Sequence, residues 1–292
     1  MLTVLSAFHI THMVNDLGAV TGLYERIFQP PFYHDGFHEG ENRDASFASV
    51  SDAYIELFSP RDAGSPNPTS NGARYLRRSG EGLHNFGWLI DGDAAEAARF
   101  CEGRGYDLVY VAGPARWAFF IHPKQAHGMM IEIASTTIPD DPRTEPGWDA
   151  RWREEHPLGI ERMNAVTFAV RDIDGAIALL QSLTGAPVIH RSENRPSDEE
   201  RAFLAIADHV IEVRRSLSRA SETARFIEER GEHIHSVTFK VADLPAAREY
   251  LRTLGLRILE QPTESAITID PRDMMGARYD FTDRAIPSDP RS

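Results

Sequence analysis

Apolar residues along this chain switch repeatedly from a two-residue rhythm to a helical one. Four segments do so: FHITHMVNDLGAVTGLYERIF, LHNFGWLIDGDAAEAARFCEGRG, MNAVTFAVRDIDGAIALLQSLTG and IHSVTFKVADLPAAREYLRTLG. Ile10 with Val14, Phe86/Trp88/Ile90, Val166/Phe168/Val170 and Val237/Phe239/Val241 share one parity, so each opening stretch reads as a strand with one apolar face. An acidic or polar residue follows, and then a helical stripe such as Ala176, Leu179, Leu180 and Leu183. In three of the four, a glycine (Gly105, Gly185 or Gly255) stands where the helix should stop.

After each helix the chain reads as further strands, ending in an apolar strand that carries an acid: YIELFSP, MMIEIAS, VIEVRRS and RYDFTD. Counted from His9, Asn85, Ala165 and Ser236, just ahead of the alternating apolar positions, the acids Glu56, Glu132, Glu212 and Asp280 lie 47, 47, 47 and 44 residues on. Several turns separate the two strands, so matched spacings point to duplication: four βαβββ units beginning near residues 5, 80, 161 and 232. The segment IPDDPRTEPGWDARWREEHPLG is rich in proline and charge, and Trp148 and Trp152 suggest that part of it packs down. The expected organisation is an α+β protein with an N-terminal pair of units over 1–138, a linker over 139–158 and a C-terminal pair over 159–292.

The repeat resembles the vicinal oxygen chelate superfamily, which includes glyoxalases, bleomycin-resistance proteins and extradiol dioxygenases. The similarity is most specific in the N-terminal half. There GEGLHNFGWLID resembles the GxGLHHIAFxVDD segment of methylmalonyl-CoA epimerases, and FFIHPKQAHGMMIEI resembles their FxHPKxxxGxLIEL segment. The resemblance implies that each pair of units curves a mixed sheet into a cup with helices outside. It also implies a divalent metal held by the first and last strands of each unit, and assigns His9, Glu56 and Glu132 to ligand positions.

Strand parity is consistent with that assignment. If Ile10 and Val14 face the helix-covered core, His9 faces the other way. By the same rule Ile55 and Leu57 leave Tyr54, Glu56 and Phe58 in the cup, and Ile131 and Ile133 leave Met130 and Glu132 there. One histidine and two glutamates on a concave surface form an N/O donor set for one divalent ion, Mn, Fe, Co, Zn or Mg. Where the epimerase pattern has its second histidine, this chain has Asn85, and His84 beside it takes core parity. Three arrangements are open: Asn85 binds through its amide oxygen, a bulge turns His84 inward, or three protein ligands are completed by water. Three ligands with Asn85 alongside is the expectation. ASFASV offers no acid at the middle-strand position where the epimerases present one. His12 is expected to pack or cap, and His122 and His127 to shape the cup entrance.

The C-terminal pair has Ala165 and Ser236 at the histidine positions, with His235 at core parity. It is therefore expected to be structural, a docking surface or a lid, and ring-cleaving dioxygenation there is not expected. For the N-terminal cup the expected chemistry is a metal-stabilised enolate or oxyanion on a small carbonyl compound, of isomerase, epimerase or lyase type. Glu132 is the first choice of general base and Glu56 the second. Tyr54, Phe58, Met13, Met130, Trp117 and Phe119 suit an apolar or aromatic substrate, and Arg116 an anionic one. The alternatives are a ligand-sequestering protein of the bleomycin-resistance type and an oxygenase working in the N-terminal cup.

Composition narrows the partners. The chain has 292 residues, 31 Lys and Arg against 44 Asp and Glu, a formal charge of −13 and 41% apolar residues. That is a folded composition whose charge repels a phosphate backbone, so nucleic acid is not an expected partner. The longest apolar runs, such as residues 117–121, are far below a membrane span, and a cytoplasmic protein, monomeric or homodimeric, is expected. The one cysteine, Cys101, reads as a packing residue.

Overall fold

A computed structural model gives the fold and describes residues 1–111, 117–136, 138, 140–261 and 265–292, with backbone alone at 33–35. The first unit runs β1 (Val4–Met13), α1 (Leu17–Ile27), β2 (Phe32–His38), β3 (Arg43–Val50) and β4 (Ala53–Pro60). A short helix, α2 (Asn71–Ser79), leads to the second: β5 (Gly82–Ile90), α3 (Ala94–Glu102), β6 (Leu108–Tyr110), β7 (Ala118–Ile121) and β8 (Ile131–Ala134). After a helical turn, α4 (Trp148–Ala150), the third unit is β9 (Ile160–Ala169), α5 (Ile173–Thr184), β10 (Val188–Asn194), β11 (Glu199–Ile206) and β12 (His209–Ser216). Helix α6 (Glu222–Arg230) precedes the fourth: β13 (His233–Val241), α7 (Leu244–Thr253), β14 (Ile258–Gln261), β15 (Ala266–Ile269) and β16 (Tyr279–Thr282).

The strands form two curved mixed sheets of the same topology, β2-β3-β4-β1-β5-β8-β7-β6 and β10-β11-β12-β9-β13-β16-β15-β14. In each unit the last strand lies parallel to the first. Glu56 stands beside Thr11, Glu132 beside Gly87, Glu212 beside Thr167 and Asp280 beside Thr238. Those neighbours are each two residues past His9, Asn85, Ala165 and Ser236. The repeated sequence spacing is thus the register of a strand pair, and equal spacing places the acids at equivalent points of the two cups.

The acidic residue at each strand-to-helix junction is a cap. Asp16, Asp93, Asp172 and Asp243 accept hydrogen bonds from the amides of Ala19, Ala95, Gly175 and Ala246, an interaction worth about 1 kcal/mol at each helix start. Helices α2 and α6, which the hydrophobic pattern did not predict, begin the same way at Ser70 and Ser221.

The apolar core is continuous across both halves and includes Ile10, Phe86, Trp88, Val166, Phe168, Val237 and Phe239. Polar contacts cross the seam as well. Trp88 Nε1 donates to His209 Nε2 at 3.1 Å, Met163 N to Asp52 at 2.5 Å and Ala7 N to Asp208 at 2.8 Å, and the Tyr24 and Tyr279 hydroxyls share a hydrogen bond. Trp148 and Trp152 are buried, with Trp148 Nε1 donating to Ser51 O at 2.7 Å, so the segment between the halves does pack down. Cys101 is buried and its thiol is pushed up to about 11, mainly by burial, which keeps it protonated. No helix among the described residues is long and apolar enough to cross a membrane.

Candidate functional site

Within the N-terminal sheet is a cavity of about 1170 Å³ whose lining includes His9, Met13, Tyr54, Glu56, Phe58, His84, Asn85, Trp117, Met130 and Glu132. Strand parity accounts for His9, Met13, Tyr54, Glu56, Phe58 and Glu132 on this concave face. Phe119, in contrast, is a core residue, and Phe120 lines the cavity in its place. Arg116 lies outside the described residues. His122 lines the cavity and caps the turn that follows it, while His12 is fully buried between the Tyr24 hydroxyl at 3.1 Å and Met275 O at 3.2 Å.

His84 departs from its expected parity. Pairing between β1 and β5 steps from Ile10↔Phe86 to His12↔Leu83, so three residues of β5 oppose two of β1. This bulge turns both His84 and Asn85 to the cavity. The two are bonded, His84 Nδ1 to Asn85 Oδ1 at 2.7 Å, and Asn85 Nδ2 lies 3.3 Å from His9 Nε2. The corresponding strand β13 has the same irregularity, between Ile234 and Ser236. There it brings His235 within electrostatic reach of Arg278, Arg214 and Arg201, again contrary to its parity.

His9 Nε2 is 3.4 Å from Glu132 Oε2 and 3.6 Å from Glu56 Oε2, and all three side chains are buried. Gly87 makes room for the ring, since a Cβ there would lie 3.2 Å from His9 Cε1 and Nδ1. Burial pulls the imidazole pKa down, but the two carboxylates outweigh it and raise the pKa above its ordinary value. The acids are not equivalent. Glu56 Oε1 meets Arg43 Nη1 at 2.9 Å and its Oε2 accepts from the Thr11 hydroxyl at 2.7 Å. Burial would push this carboxyl up, yet Arg43, His9 and Thr11 together hold it below the usual range. Among the described residues, the partner of Glu132 is His9.

Arg43 was missed in the sequence although a signal existed. Arg43, Ala45 and Phe47 share a parity in β3, and Phe47 pairs with Glu56 and Ala45 with Phe58. Arg43 is consequently on the cup face, its guanidinium 4.8 Å from the Phe58 ring and its Nε 2.6 Å from Glu41.

The donor set suits a divalent ion by chemistry. His9 Nε2 lies near both carboxylates, with Glu132 at 3.4 Å and Glu56 at 3.6 Å, at and beyond the upper end of the ~3–3.4 Å edges between neighbouring ligands whose bonds to an ion are ~2.1 Å. Among the described residues, no three His, Cys, Asp or Glu side chains are already closed into a group that could hold an ion. Taking one up would require the carboxylate of Glu56 to turn partly away from Arg43.

The second cup is filled differently. At the positions equivalent to Phe58, Met130 and Phe120 it has Arg214, Arg278 and Thr268. Arg214 Nε donates to Glu212 at 2.8 Å, Arg278 Nε to Asp280 at 3.1 Å and Thr268 Oγ1 to Asp280 at 2.6 Å. Both acids are occupied by the protein itself, whereas Glu132 faces a cavity with apolar neighbours.

Sequence profiles of the glyoxalase/bleomycin resistance protein/dioxygenase superfamily match residues 8–145 and 162–284, together most of the chain. The chain belongs to this superfamily. A curated relative, the ethylmalonyl-CoA/methylmalonyl-CoA epimerase of Cereibacter sphaeroides, is 31% identical over 101 residues, which are 34% of this chain and 75% of that protein. Among solved structures, a variant of 4-hydroxymandelate synthase from Streptomyces coelicolor superimposes with a TM-score of 0.71, covering 99% of this chain and 96% of its own. At 12% identity that match concerns the fold alone: two tandem pairs of βαβββ units. Methylmalonyl-CoA epimerase from Mycobacterium tuberculosis covers 44% of this chain and 90% of its own, at 26% identity and a TM-score of 0.41.

Proposed function

We propose that the N-terminal cup is an enzyme active site that moves a proton at the carbon next to a carbonyl of a small substrate, in an isomerase, epimerase or lyase reaction. The observation that carries this reading is the inequality of the two acids. Glu56 is neutralised by Arg43 and Thr11, while Glu132 has His9 for its partner and faces the cavity with lone pairs to spare. A carboxylate so placed can accept a proton from a bound substrate, and Phe120, Trp117 and Met130 are among the apolar residues lining the same cavity.

His9, Glu56 and Glu132 would hold a divalent ion, with Asn85 as an auxiliary donor once its amide turns. Such an ion supplies Lewis acidity toward a carbonyl oxygen. The residues then divide the remaining work. Thr11 and Arg43 fix the orientation of Glu56, Gly87 leaves space for the His9 ring, and Glu132 holds or returns the proton at the carbon. Tyr54, Phe47 and Trp117 form aromatic walls that favour an apolar or aromatic substrate portion.

The curated relative's name makes methylmalonyl-CoA a first substrate to try. Incubation in deuterated water with Co(II) or Mn(II) is expected to give exchange at the α carbon, and Glu132→Gln to abolish it with the fold retained. Exchange retained in that variant would remove Glu132 as base. A second reading, a sequestering protein that holds its ligand without turnover, is favoured by Phe47 on the middle strand, where the epimerases present an acid. Tight binding of a carbonyl ligand without proton exchange would select it.

A further inference from the structure

The C-terminal half contributes side chains to the N-terminal cavity: Arg230, Glu232 and His233 are part of its lining. Arg230, the last residue of α6, lies across the seam on strand β5. Its Nη2 donates to Glu81 O at 2.5 Å, and a Cβ on Gly82 would lie 2.7 Å from its Nη1, so glycine at 82 leaves room for the guanidinium. From the N-terminal half, Arg74, Tyr75 and Arg78 of α2 line the same region, at the i, i+1 and i+4 positions of one helical face. The Tyr75 hydroxyl and His233 Nε2, 2.8 Å apart, bind α2 to the other half. The Arg78 guanidinium lies 5.6 Å from the Tyr75 ring, and a Cβ on Gly80, the residue that ends α2, would lie 3.7 Å from Arg230 Nη2, so both guanidiniums flank the end of this helix.

Charge around this spot is unbalanced. Of the acids lining the cavity, Glu41 and Glu56 are held by Arg43, Glu132 lies beside His9 at 3.4 Å, and Glu232 is held by Arg171 at 3.6 Å. Among the described residues, Arg74, Arg78 and Arg230 have no carboxylate within ion-pair distance: Arg74 donates to Asn71 Oδ1, Arg78 lies over the Tyr75 ring and Arg230 holds a backbone carbonyl. In the second cup, Arg201, Arg214 and Arg278 are each paired with an acid. Uncompensated arginines are unexpected on a chain of net charge −13, and these three line the cavity, Arg74 and Arg78 from its exposed side and Arg230 half-buried.

We propose that Arg78 and Arg230 form an oxyanion-binding subsite at the seam between the halves, which receives a carboxylate or phosphate group of the ligand held in the N-terminal cup. A planar guanidinium presents paired donors that match such groups, and the surrounding aromatic walls would hold the remainder of the ligand. The C-terminal half thereby acts in ligand selection through Arg230. The proposal deepens the reading of the N-terminal cup as the working site and rests on it.

The test is calorimetric titration of the full-length chain in metal-free buffer with benzoate, phenyl phosphate and the neutral isostere benzamide. At least one anion should bind saturably at millimolar concentration or tighter, about tenfold or more better than benzamide, and more weakly as salt is added. Preference between the two anions identifies the group. Arg230→Gln and Arg78→Gln should each weaken the preferred anion about tenfold while leaving benzamide unchanged, with Arg230→Lys between them and wild type. Arg78 is exposed on α2, so its variant remains informative if Arg230→Gln fails to fold. The proposal is overturned if neither anion binds, if benzamide binds equally well, or if Arg78→Gln retains full anion affinity. Because the readout needs neither metal nor turnover, a failure of the proton-transfer reading leaves its outcome unaffected.

Discussion

Replacing Arg43 by methionine removes the guanidinium while keeping an apolar side chain of similar reach over Phe58. Glu56 then remains 5% exposed with its main counter-charge gone, retaining the Thr11 hydroxyl and a more distant His9. Breaking a buried ion pair from one side costs about 3–5 kcal/mol, because the remaining charge has lost its compensation. At roughly 2–4 °C per kcal/mol for a protein of this size, the unfolding midpoint should fall by roughly 6–20 °C. Glu56→Gln in the Arg43→Met background removes the stranded charge and should recover much of the loss, with a coupling energy of about 2 kcal/mol in the double-mutant cycle. Divalent metal should also rescue Arg43→Met, and bind it more tightly than wild type, because the ion no longer competes with a guanidinium for Glu56. The assay is thermal unfolding of the four cycle members with and without Co(II). A coupling energy below about 0.5 kcal/mol, or equal metal stabilisation of Arg43→Met and wild type, would refute the reasoning.

Further outcomes follow from other parts of the molecule. Asp52 is half-buried and its pKa is raised to about 6, mainly by desolvation, so its contribution is fully present below the unfolded value near 3.8 and lost as pH rises through 6. Asp52→Asn keeps the acceptor for Met163 N, and relative to wild type should gain stability from pH 4 to 7, up to roughly 3 kcal/mol; a pH-independent difference would contradict this. Glu199, held down to about 2 by Arg214 and Arg201 against its burial, has the opposite sign: its stabilisation is present above pH 4.5 and disappears toward pH 2, and in Glu199→Gln that acid-limb loss should shrink. In the second cup, Arg214→Met should lower the unfolding midpoint and leave metal uptake unchanged; altered metal stoichiometry would show that this cup also binds an ion.

The fold was legible because duplication wrote its register into the spacing of four acids, and because one apolar face per strand fixes which side chains meet. That logic placed His9, Glu56, Glu132 and Met130 around one cavity. It failed for His84, where geometry departs from period two: Asn85 faces the cup as expected, but a bulge, one of the arrangements open in the sequence, turns His84 there too, and nothing local in LHNFG selects it. It also misplaced Phe119, in a short strand whose parity was not tied to the neighbouring acid. Arg43 was legible in principle, since it shares the parity of Phe47 in β3, but it stands outside the acid spacing that marks the site. Arg78 and Arg230 were beyond sequence reasoning of this kind, since α2 and α6 meet only through the packing of the two halves.

The most direct test of the central claim is Co(II) binding to the purified full-length chain, followed by visible absorption and by stoichiometry. One ion per chain is expected, lost in His9→Ala and retained in Glu212→Gln. No bound cobalt in the wild type, or binding that survives His9→Ala, would contradict it.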